Sequence, residues 1–177
     1  KTTKQQYSGL KYPPIFSTTD AIVIQSGHVL VIERAALPGK GLLALPGGYL
    51  QSNLSLLDNM IKELLEETGI LLADGKRAKE ITENILRSSI KAKEQFDDPS
   101  RSLRGRIVTT AYLVQLDDTK PLPKVYGMNA PLEETGGKLI PETVRVRWMP
   151  INEAMAAAEL WFEDHLHILA WGISHCS

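Results

Sequence analysis

Hydrophobic and polar positions alternate in two short runs near the start of the chain. Residues 19–24 and 28–32 are rich in β-branched side chains, and Gln25-Ser26-Gly27 separates them. Two such runs joined by a short glycine-containing segment predict a β-hairpin. Similar apolar or alternating runs predict further strands over residues 42–45, 106–116 and 143–149, the first of which ends at Pro46-Gly47-Gly48.

The strongest helical pattern covers residues 56–68. Apolar side chains recur there at helical spacing and share one face. Ser55 is suited to cap the amino end, and Gly69 is suited to end the helix. The sequence therefore predicts one helix with both of its ends defined.

Two longer stretches also have helical patterns. An amphipathic stretch predicts a helix over residues 76–95, and an Ala-rich and then aromatic stretch predicts a closing helix over residues 152–172. Residues 127–141 contain several Gly and Pro and predict a long, mobile loop. The order of strands, helix, strands and helix predicts an α+β sandwich.

Composition and charge exclude several classes of protein. The chain has 177 residues, 43% of them hydrophobic, which predicts one globular domain. With 20 Lys and Arg against 21 Asp and Glu, its net charge of −1 gives no field that attracts nucleic acid. Its apolar runs are too short to cross a membrane, which takes about 20 residues. The single Cys176 and the lack of an apolar leader favour the reducing cytoplasm.

The first residues indicate how the domain is bounded. Residues 1–16 are polar and then interrupted by Pro13 and Pro14, so we expect a linker or surface arm, with the folded domain over residues 17–177. The chain begins with Lys1 rather than methionine. Excision from a longer protein and simple trimming are both compatible with that beginning.

Three carboxylates crowd one side of the predicted helix at residues 56–68. Glu63, Glu66 and Glu67 fall within an arc of about 100°. Like charges at this spacing repel each other unless solvent or a cation compensates them. Two interpretations follow: a solvated helix face, or a site for Mg²⁺, Mn²⁺ or Ca²⁺, which prefer carboxylate oxygens.

The segment GYLQSNLSLLDNMIKELLEETGI, residues 48–70, resembles the Nudix box, G-x5-E-x7-R-E-U-x-E-E-x-G-U, where U is a bulky aliphatic residue. The matching positions are Gly48, Glu63, Leu64, Glu66, Glu67, Gly69 and Ile70. Leu54 replaces the first Glu of the pattern, and Lys62 replaces its Arg. The resemblance implies an α/β/α sandwich with a mixed sheet. It also implies that Gly48, Glu63, Glu66 and Glu67 bind Mg²⁺, with Mn²⁺ as an alternative, and that the three Glu are catalytic.

A second resemblance covers almost the whole chain. FDDPSRSLRGR at residues 96–106 and FEDHLHI at residues 162–168 are similar to the Nudix half of bifunctional nicotinamide-nucleotide adenylyltransferase/ADP-ribose pyrophosphatases. That family implies a role in NAD metabolism and a fused N-terminal nucleotidyltransferase domain. Dimers are frequent in that family, so a homodimer is one option, and the sequence leaves the oligomeric state open. The alternative is a resemblance to the Nudix-related regulators of NAD metabolism, which share the Arg104-Gly105-Arg106 stretch and in which a C-terminal DNA-binding domain is expected.

Basic residues supply candidates for binding phosphate. Arg101, Arg104 and Arg106 surround Gly105, and a guanidinium is a planar donor suited to phosphate oxygens. The alternative is that they pair with Asp97, Asp98 or another surface acid. Arg34 and Lys40 are further candidates for binding phosphate at the same site.

Other titratable residues are weaker candidates. The general base is Glu66 or an acid of the loop region, and the acids available there are Glu133, Glu134 and Glu142. His165 and His167 are two residues apart on a predicted helix and point to different sides, so we expect capping or surface packing from them.

Three functions are compatible with these features. The first is Mg²⁺-dependent hydrolysis of a nucleoside diphosphate linked to another moiety, with ADP-ribose giving AMP and ribose 5-phosphate. The second is a sensor of ADP-ribose or NAD that has lost catalysis, for which Leu54 and Lys62 would be the traces. The third is a Nudix fold that serves only dimerisation. The first two functions require a small-molecule nucleotide ligand, and none of the three requires a nucleic acid or a membrane.

Overall fold

The computed structural model describes residues 8–126 and 143–177. The predicted loop at 127–141 and its acids Glu133 and Glu134 lie outside the described residues, as does Glu142.

The described strands form one mixed sheet. The strands are β1 (Phe16–Gln25), β2 (His28–Arg34), β3 (Leu43–Ala44), β4 (Gly47–Tyr49), β5 (Ile90–Phe96), β6 (Ile107–Gln115) and β7 (Thr143–Pro150). β1 runs parallel to β6 on one side, and on its other side it pairs antiparallel with β2 at its end and with β4 at its beginning. β2 also pairs antiparallel with β3 and β7, and β5 pairs antiparallel with β6.

Helices cover both faces of the sheet. Alternate residues of β1 enter two separate apolar clusters: Ile22 packs in one with Ile168, and Val23 packs in the other with Leu64. This alternation follows from the two-residue period of a strand, whose side chains point to opposite faces. The helices are α1 (Leu56–Thr68), α2 (Ala78–Ser88), α3 (Ile151–Ala156) and α4 (His165–Ser174), with a 3₁₀ turn at Ala158–Leu160. The expected α/β/α sandwich with a mixed sheet is confirmed.

The predicted ends of α1 are present. The hydroxyl of Ser55 accepts a hydrogen bond from the Asp58 amide at 3.1 Å, and Gly69 ends the helix in the left-handed region at φ 60°. Both features satisfy backbone groups that the helix itself leaves unpaired. The register of α1 is therefore fixed at both ends, and with it the direction of its glutamates.

The helix predicted over residues 76–95 is wrong in its second half. α2 ends at Ser88, and β5 begins at Ile90. β5 pairs with β6 and exposes Lys91, Lys93 and Glu94. Charged side chains protect an edge strand from pairing with other chains, and in the sequence they are indistinguishable from the solvated face of a helix.

The single closing helix predicted over residues 152–172 is also wrong. The chain leaves helical geometry between α3 and α4, where the Phe162 amide donates to the Leu43 carbonyl at 2.8 Å. Trp161 is buried in the core, and its indole N–H donates to the Ala154 carbonyl at 2.9 Å. This break matters for the site, because it brings Phe162 and the following residues to the edge of β3.

No helix within residues 8–126 and 143–177 has the length and apolar character needed to cross a membrane.

Candidate active site

Gly47 and Gly48, which follow the predicted strand over residues 42–45, belong to a strand of their own, β4. β4 pairs with the beginning of β1, and Gly48 lies opposite Thr19. Hydrogen bonds join Ala21 to Pro46 and Leu50 to Ser17 in the same ladder. The alternation of an antiparallel pair therefore gives the Gly48 carbonyl a partner in the Thr19 amide and leaves it one lone pair.

A cavity of about 320 Å³ opens beside β4. Strands β1 to β4, helix α1, the loop between β5 and β6, and the start of α4 all contribute to its walls. The lining residues are Thr18, Asp20, Ile32, Arg34, Ala44, Leu45, Gly47, Gly48, Tyr49, Gln51, Glu63, Glu67, Arg101, Arg104, Phe162 and His165.

Two of the three motif glutamates lie in this cavity, one turn apart on α1. The carboxylate of Glu67 is buried and accepts a hydrogen bond from the Gly47 amide at 3.2 Å. The carboxyl of Glu63 lies against Gly48, so closely that a β-carbon added to that glycine would be 2.7 Å from the Glu63 Cδ. Both carboxylates therefore pack on the backbone of β4.

The third motif glutamate is held outside the cavity. Glu66 is exposed and forms an ion pair with Lys62 at 2.8 Å. The hydrogen bond to Glu66 raises the pKa of the Lys62 ammonium, against a smaller opposing effect of burial. Within the described ranges no three His, Cys, Asp or Glu side chains are arranged to hold a metal ion.

The residues present fit a hard divalent cation with few protein ligands. Glu63, Glu67 and the free lone pair of the Gly48 carbonyl are all oxygen donors on one wall of the cavity. Mg²⁺ is typically held by one or two carboxylates together with water and substrate phosphate. Two carboxylates therefore suffice for such a site, and Glu66 is one turn away if Lys62 releases it.

Two arginines of the loop between β5 and β6 line the cavity, and each is held by an acid before α4. Arg101 has 3% of its side chain exposed and donates to both carboxylate oxygens of Asp164, at 2.7 and 2.9 Å. Arg104 donates to Glu163 at 2.9 Å. The pairing alternative considered from the sequence thus applies to both, but with acids distant in the chain rather than Asp97 or Asp98.

Aromatic rings complete this side of the cavity. The Arg104 guanidinium lies 5.3 Å from the centre of the Phe162 ring and donates to the Tyr49 hydroxyl at 3.3 Å. The Arg34 guanidinium lies 4.0 Å from the centre of the same Phe162 ring. Cations in such positions are attracted by the electrons of the ring face, so Phe162 fixes two arginines.

Two predicted binding residues are not brought to the cavity. Lys40 is exposed and is absent from its walls. Arg106 donates to the Asp97 carbonyl at 2.6 Å and lines a different cavity beside Phe16 and Leu103.

Sequence reasoning missed three residues of the site. Asp20 is buried in β1, where its carboxylate accepts a hydrogen bond from Thr109 at 2.6 Å. His165 is buried as well and lines the cavity, so the expected surface role for it is wrong. Glu163 positions Arg104. One sequence feature could have indicated this part of the site: three polar residues, Glu163, Asp164 and His165, follow one another in the stretch that was predicted as a single helix. Consecutive residues of a helix point in different directions, so a helix would have separated these side chains.

Known proteins share both sequence and fold with the chain. ADP-ribose pyrophosphatase of Methanocaldococcus jannaschii is 24% identical over 97 residues, 55% of this chain and 48% of that protein. The bifunctional NMN adenylyltransferase/ADP ribose pyrophosphatase of Francisella tularensis, solved with AMP and a manganese ion, has a TM-score of 0.82 and 28% identity. That comparison covers 99% of this chain and 46% of the other. The chain thus spans about half the length of both relatives.

A third similarity concerns the fold alone. The NUDIX domain of Shewanella oneidensis NrtR, solved with ADP ribose, has a TM-score of 0.63 and 18% identity, with 97% of each chain covered. The family model for the NUDIX domain matches residues 16–172, which include the whole described sheet and nearly all of α4. The chain belongs to the Nudix family.

Proposed function

We propose that this chain hydrolyses the diphosphate of a nucleoside diphosphate linked to another moiety, and that ADP-ribose is the substrate, giving AMP and ribose 5-phosphate. The observation that carries the proposal is the presence of acids and arginines in the lining of one cavity. Glu63 and Glu67 line it together with Arg101 and Arg104. Guanidinium groups match phosphate oxygens, and the M. jannaschii relative supports the choice of ADP-ribose.

The metal ligands in this proposal are Glu63, Glu67 and the Gly48 carbonyl. Mg²⁺ is the expected ion and Mn²⁺ the alternative, and the bound ion supplies charge neutralisation and a water of lowered pKa. Glu66 joins the site when the Lys62 ion pair opens. That pair is exposed on both sides, so it is weak.

Arg104 has the role of positioning the substrate in this proposal. Arg104 is oriented by Glu163, Tyr49 and Phe162, so its fork is fixed before a ligand arrives. A group fixed in advance loses little freedom when the reaction complex forms. The general base is Glu66 or one of the acids outside the described residues, Glu133, Glu134 and Glu142.

Product analysis tests the proposal. The protein is incubated with ADP-ribose and Mg²⁺, and the nucleotides are separated by anion-exchange chromatography. We expect AMP and ribose 5-phosphate, and we expect Glu67→Gln to reduce the rate at least about 100-fold through loss of a metal ligand. Glu80→Gln is the matched control, because Glu80 is an exposed helix glutamate paired with Arg77. Binding of ADP-ribose without release of AMP contradicts the hydrolase.

One observation favours a second function, a sensor of ADP-ribose or NAD. Lys62, which departs from the family pattern, pairs with Glu66, and Glu66 does not line the cavity. The double variant Leu54→Glu with Lys62→Arg restores both family residues. A rise from negligible to substantial hydrolysis in that variant supports the sensor, whereas little change supports an enzyme that already works.

The wider setting follows from the same proposal. We propose that the chain acts in NAD metabolism, of which ADP-ribose is a product, and that it does so in the cytoplasm. The F. tularensis relative combines adenylyltransferase and pyrophosphatase in one name, and this chain covers 46% of it. We therefore propose a nucleotidyltransferase domain in the same polypeptide, and a homodimer as the assembly. Light scattering of the purified chain tests the homodimer.

A further inference from the structure

The imidazole ring of His165 is held by a backbone amide. Its Nδ1 accepts a hydrogen bond from the Leu45 N–H at 2.9 Å. A ring nitrogen that accepts carries no proton, so the proton of the neutral ring is on Nε2. Burial lowers the pKa of this imidazole, with charges nearby acting in both directions. The ring is therefore kept as one neutral tautomer, and that tautomer is an Nε2–H donor.

Nε2 can be reached from the cavity. Among residues 8–126 and 143–177, the ring hydrogen bond of His165 involves Nδ1 and not Nε2. In the same part of the chain, every fully enclosed side-chain nitrogen or oxygen has a partner except Thr110 Oγ1. Nε2 is therefore not enclosed, although only 6% of the residue is exposed. The space that His165 borders is the cavity of the candidate site.

Most N–H groups of the neighbouring arginines, Arg101 and Arg104, already donate hydrogen bonds within the protein. Arg101 donates to Asp164 through two nitrogens and to the Ile107 carbonyl through the third, at 3.4 Å. Arg104 donates to Ser102, Tyr49 and Glu163. Acid partners also neutralise much of the charge of both. The Nε2–H of His165 is thus a donor that faces the cavity without an acceptor from the described protein.

The position of the ring is rigid. It packs edge-on against Phe162, with ring centres 5.6 Å apart, and it begins α4. Leu45 lies three residues before Gly48, so the same short segment fixes both the ring and the backbone of the proposed metal wall. A donor fixed in this way selects for an acceptor atom at one place in the cavity.

We propose that His165 binds the substrate by donating a hydrogen bond from Nε2 to an oxygen of the bound nucleoside diphosphate. The inference rests on the proposed function, because it concerns the same ligand and the same cavity. His165 transfers no proton in this role. The Leu45 amide is the group that positions it.

Two amide substitutions separate binding from support of the backbone. In His165→Asn, the short side chain places an oxygen where Nδ1 accepts from Leu45 but reaches no further. In His165→Gln, the longer side chain places an amide N–H₂ near the position of Nε2. We expect His165→Asn to weaken ADP-ribose binding by about 10-fold or more, since a hydrogen bond to a charged group is lost. We expect His165→Gln to stay within about 3-fold of the parent and to unfold more readily.

The measurement is isothermal titration of ADP-ribose into the whole chain with Ca²⁺ in place of Mg²⁺, which avoids turnover. His167→Asn is the matched control, because His167 is exposed on the same helix. The ¹⁵N spectrum of the imidazoles adds a second measurement: His165 is expected to be protonated on Nε2 alone, and that N–H signal is expected to move when ADP-ribose is added.

Three outcomes of these measurements would overturn the inference about His165. If His165→Asn binds as well as the parent, or if both variants weaken binding equally as they lose stability, the ring serves only to support Leu45 and the inference fails. An Nδ1–H tautomer overturns it as well. If the parent chain itself does not bind ADP-ribose, the proposed function fails together with the inference, and that outcome is distinct from failure of the His165 variants alone.

Discussion

Gly47 and Gly48 are adjacent in β4, but a side chain on each would meet different atoms. A β-carbon on Gly47 would lie 2.1 Å from the Thr19 carbonyl oxygen, which is part of the central strand. A β-carbon on Gly48 would instead meet the carboxyl of Glu63, 2.7 Å away. The backbone of a paired strand cannot move aside cheaply, whereas the end of a glutamate side chain can.

The two alanine variants should therefore fail in different ways. We expect Gly47→Ala to lower the free energy of unfolding by about 1–3 kcal/mol, as overpacking does. We expect Gly48→Ala to keep most of its stability but to displace Glu63, which weakens Mn²⁺ binding by about 10-fold. Urea unfolding and Mn²⁺ titration followed by electron paramagnetic resonance measure the two effects. Normal Mn²⁺ affinity in a folded Gly48→Ala protein contradicts the assigned metal wall.

His165 should make stability depend on pH. Burial lowers the pKa of its imidazole in the folded protein, while the unfolded chain binds that proton at a pKa of about 6.5. The unfolded state thus holds more protons between the two pKa values, and stability rises with pH there. The contribution of the neutral ring is complete above the unfolded pKa and is lost as the pH falls towards the folded one.

Urea unfolding of the parent and of His165→Asn, at pH values from about 5 to 8, measures this contribution. The parent should lose stability below a pH of about 6.5 more steeply than the variant, whose amide does not titrate. Parallel curves for the two proteins would mean that His165 is protonated without cost in the folded state, contrary to its burial against Leu45 and Phe162.

The sequence predicted acids and arginines that line the cavity, namely Glu63, Glu67, Arg34, Arg101 and Arg104. Helical spacing places the motif glutamates on one side of α1, but it does not distinguish Glu66 from the other two. The orientation of Glu66 depends on its ion pair with Lys62, which is a choice between side-chain conformations. His165 lines the cavity, and Glu163 and Asp164 hold its two arginines. All three take these positions because of a break within the stretch that was predicted as one closing helix.

At the scale of elements, α1 carries the proposed metal ligands, and its first turn is fixed by one side chain. Ser55 accepts from the Asp58 amide at 3.1 Å. We expect Ser55→Ala to lower the free energy of unfolding by about 1 kcal/mol, the usual value of such a cap. Thermal unfolding should show this loss, and Ser52→Ala, in the exposed turn just before the helix, is the control. An equal effect of both variants would mean that the cap contributes nothing specific.

Strands that are buried and rich in apolar residues were predicted from the sequence, whereas the exposed edge strand was not. β1 and β6 are buried along most of their length and rich in apolar and β-branched residues, so their existence was clear. β5 has mostly exposed residues, because it is an edge strand, and the two-residue period of its sequence IKAKEQF is short and is interrupted at Glu94. Its pairing with β6 is a contact distant in the chain. Local patterns do not contain that information.

At the scale of the molecule, two ion pairs join segments that are 63 and 59 residues apart. Arg101 and Arg104 belong to the loop between β5 and β6, and their partners Asp164 and Glu163 lie just before α4. These pairs therefore fix the part of the cavity lining that Arg101 and Arg104 contribute. That part of the lining forms only when both segments have come together, so the stability of the fold and the site are linked.

Asp164→Asn tests this link. The variant leaves the Arg101 guanidinium, 3% exposed, without its carboxylate, although Asp164 itself is 22% exposed. The loss of stability should therefore approach, from below, the cost of about 3–5 kcal/mol for removing one member of a fully buried pair. Glu80→Gln breaks the ion pair of Glu80, 58% exposed, with Arg77, 71% exposed. This variant should lower the free energy of unfolding by less than about 1 kcal/mol. Urea unfolding compares the two. Because the Asp164 carboxylate also orients Arg101 towards the cavity, the folded fraction of Asp164→Asn should bind ADP-ribose more weakly. A large loss of stability with unchanged affinity would mean that the pair supports the fold but not the site.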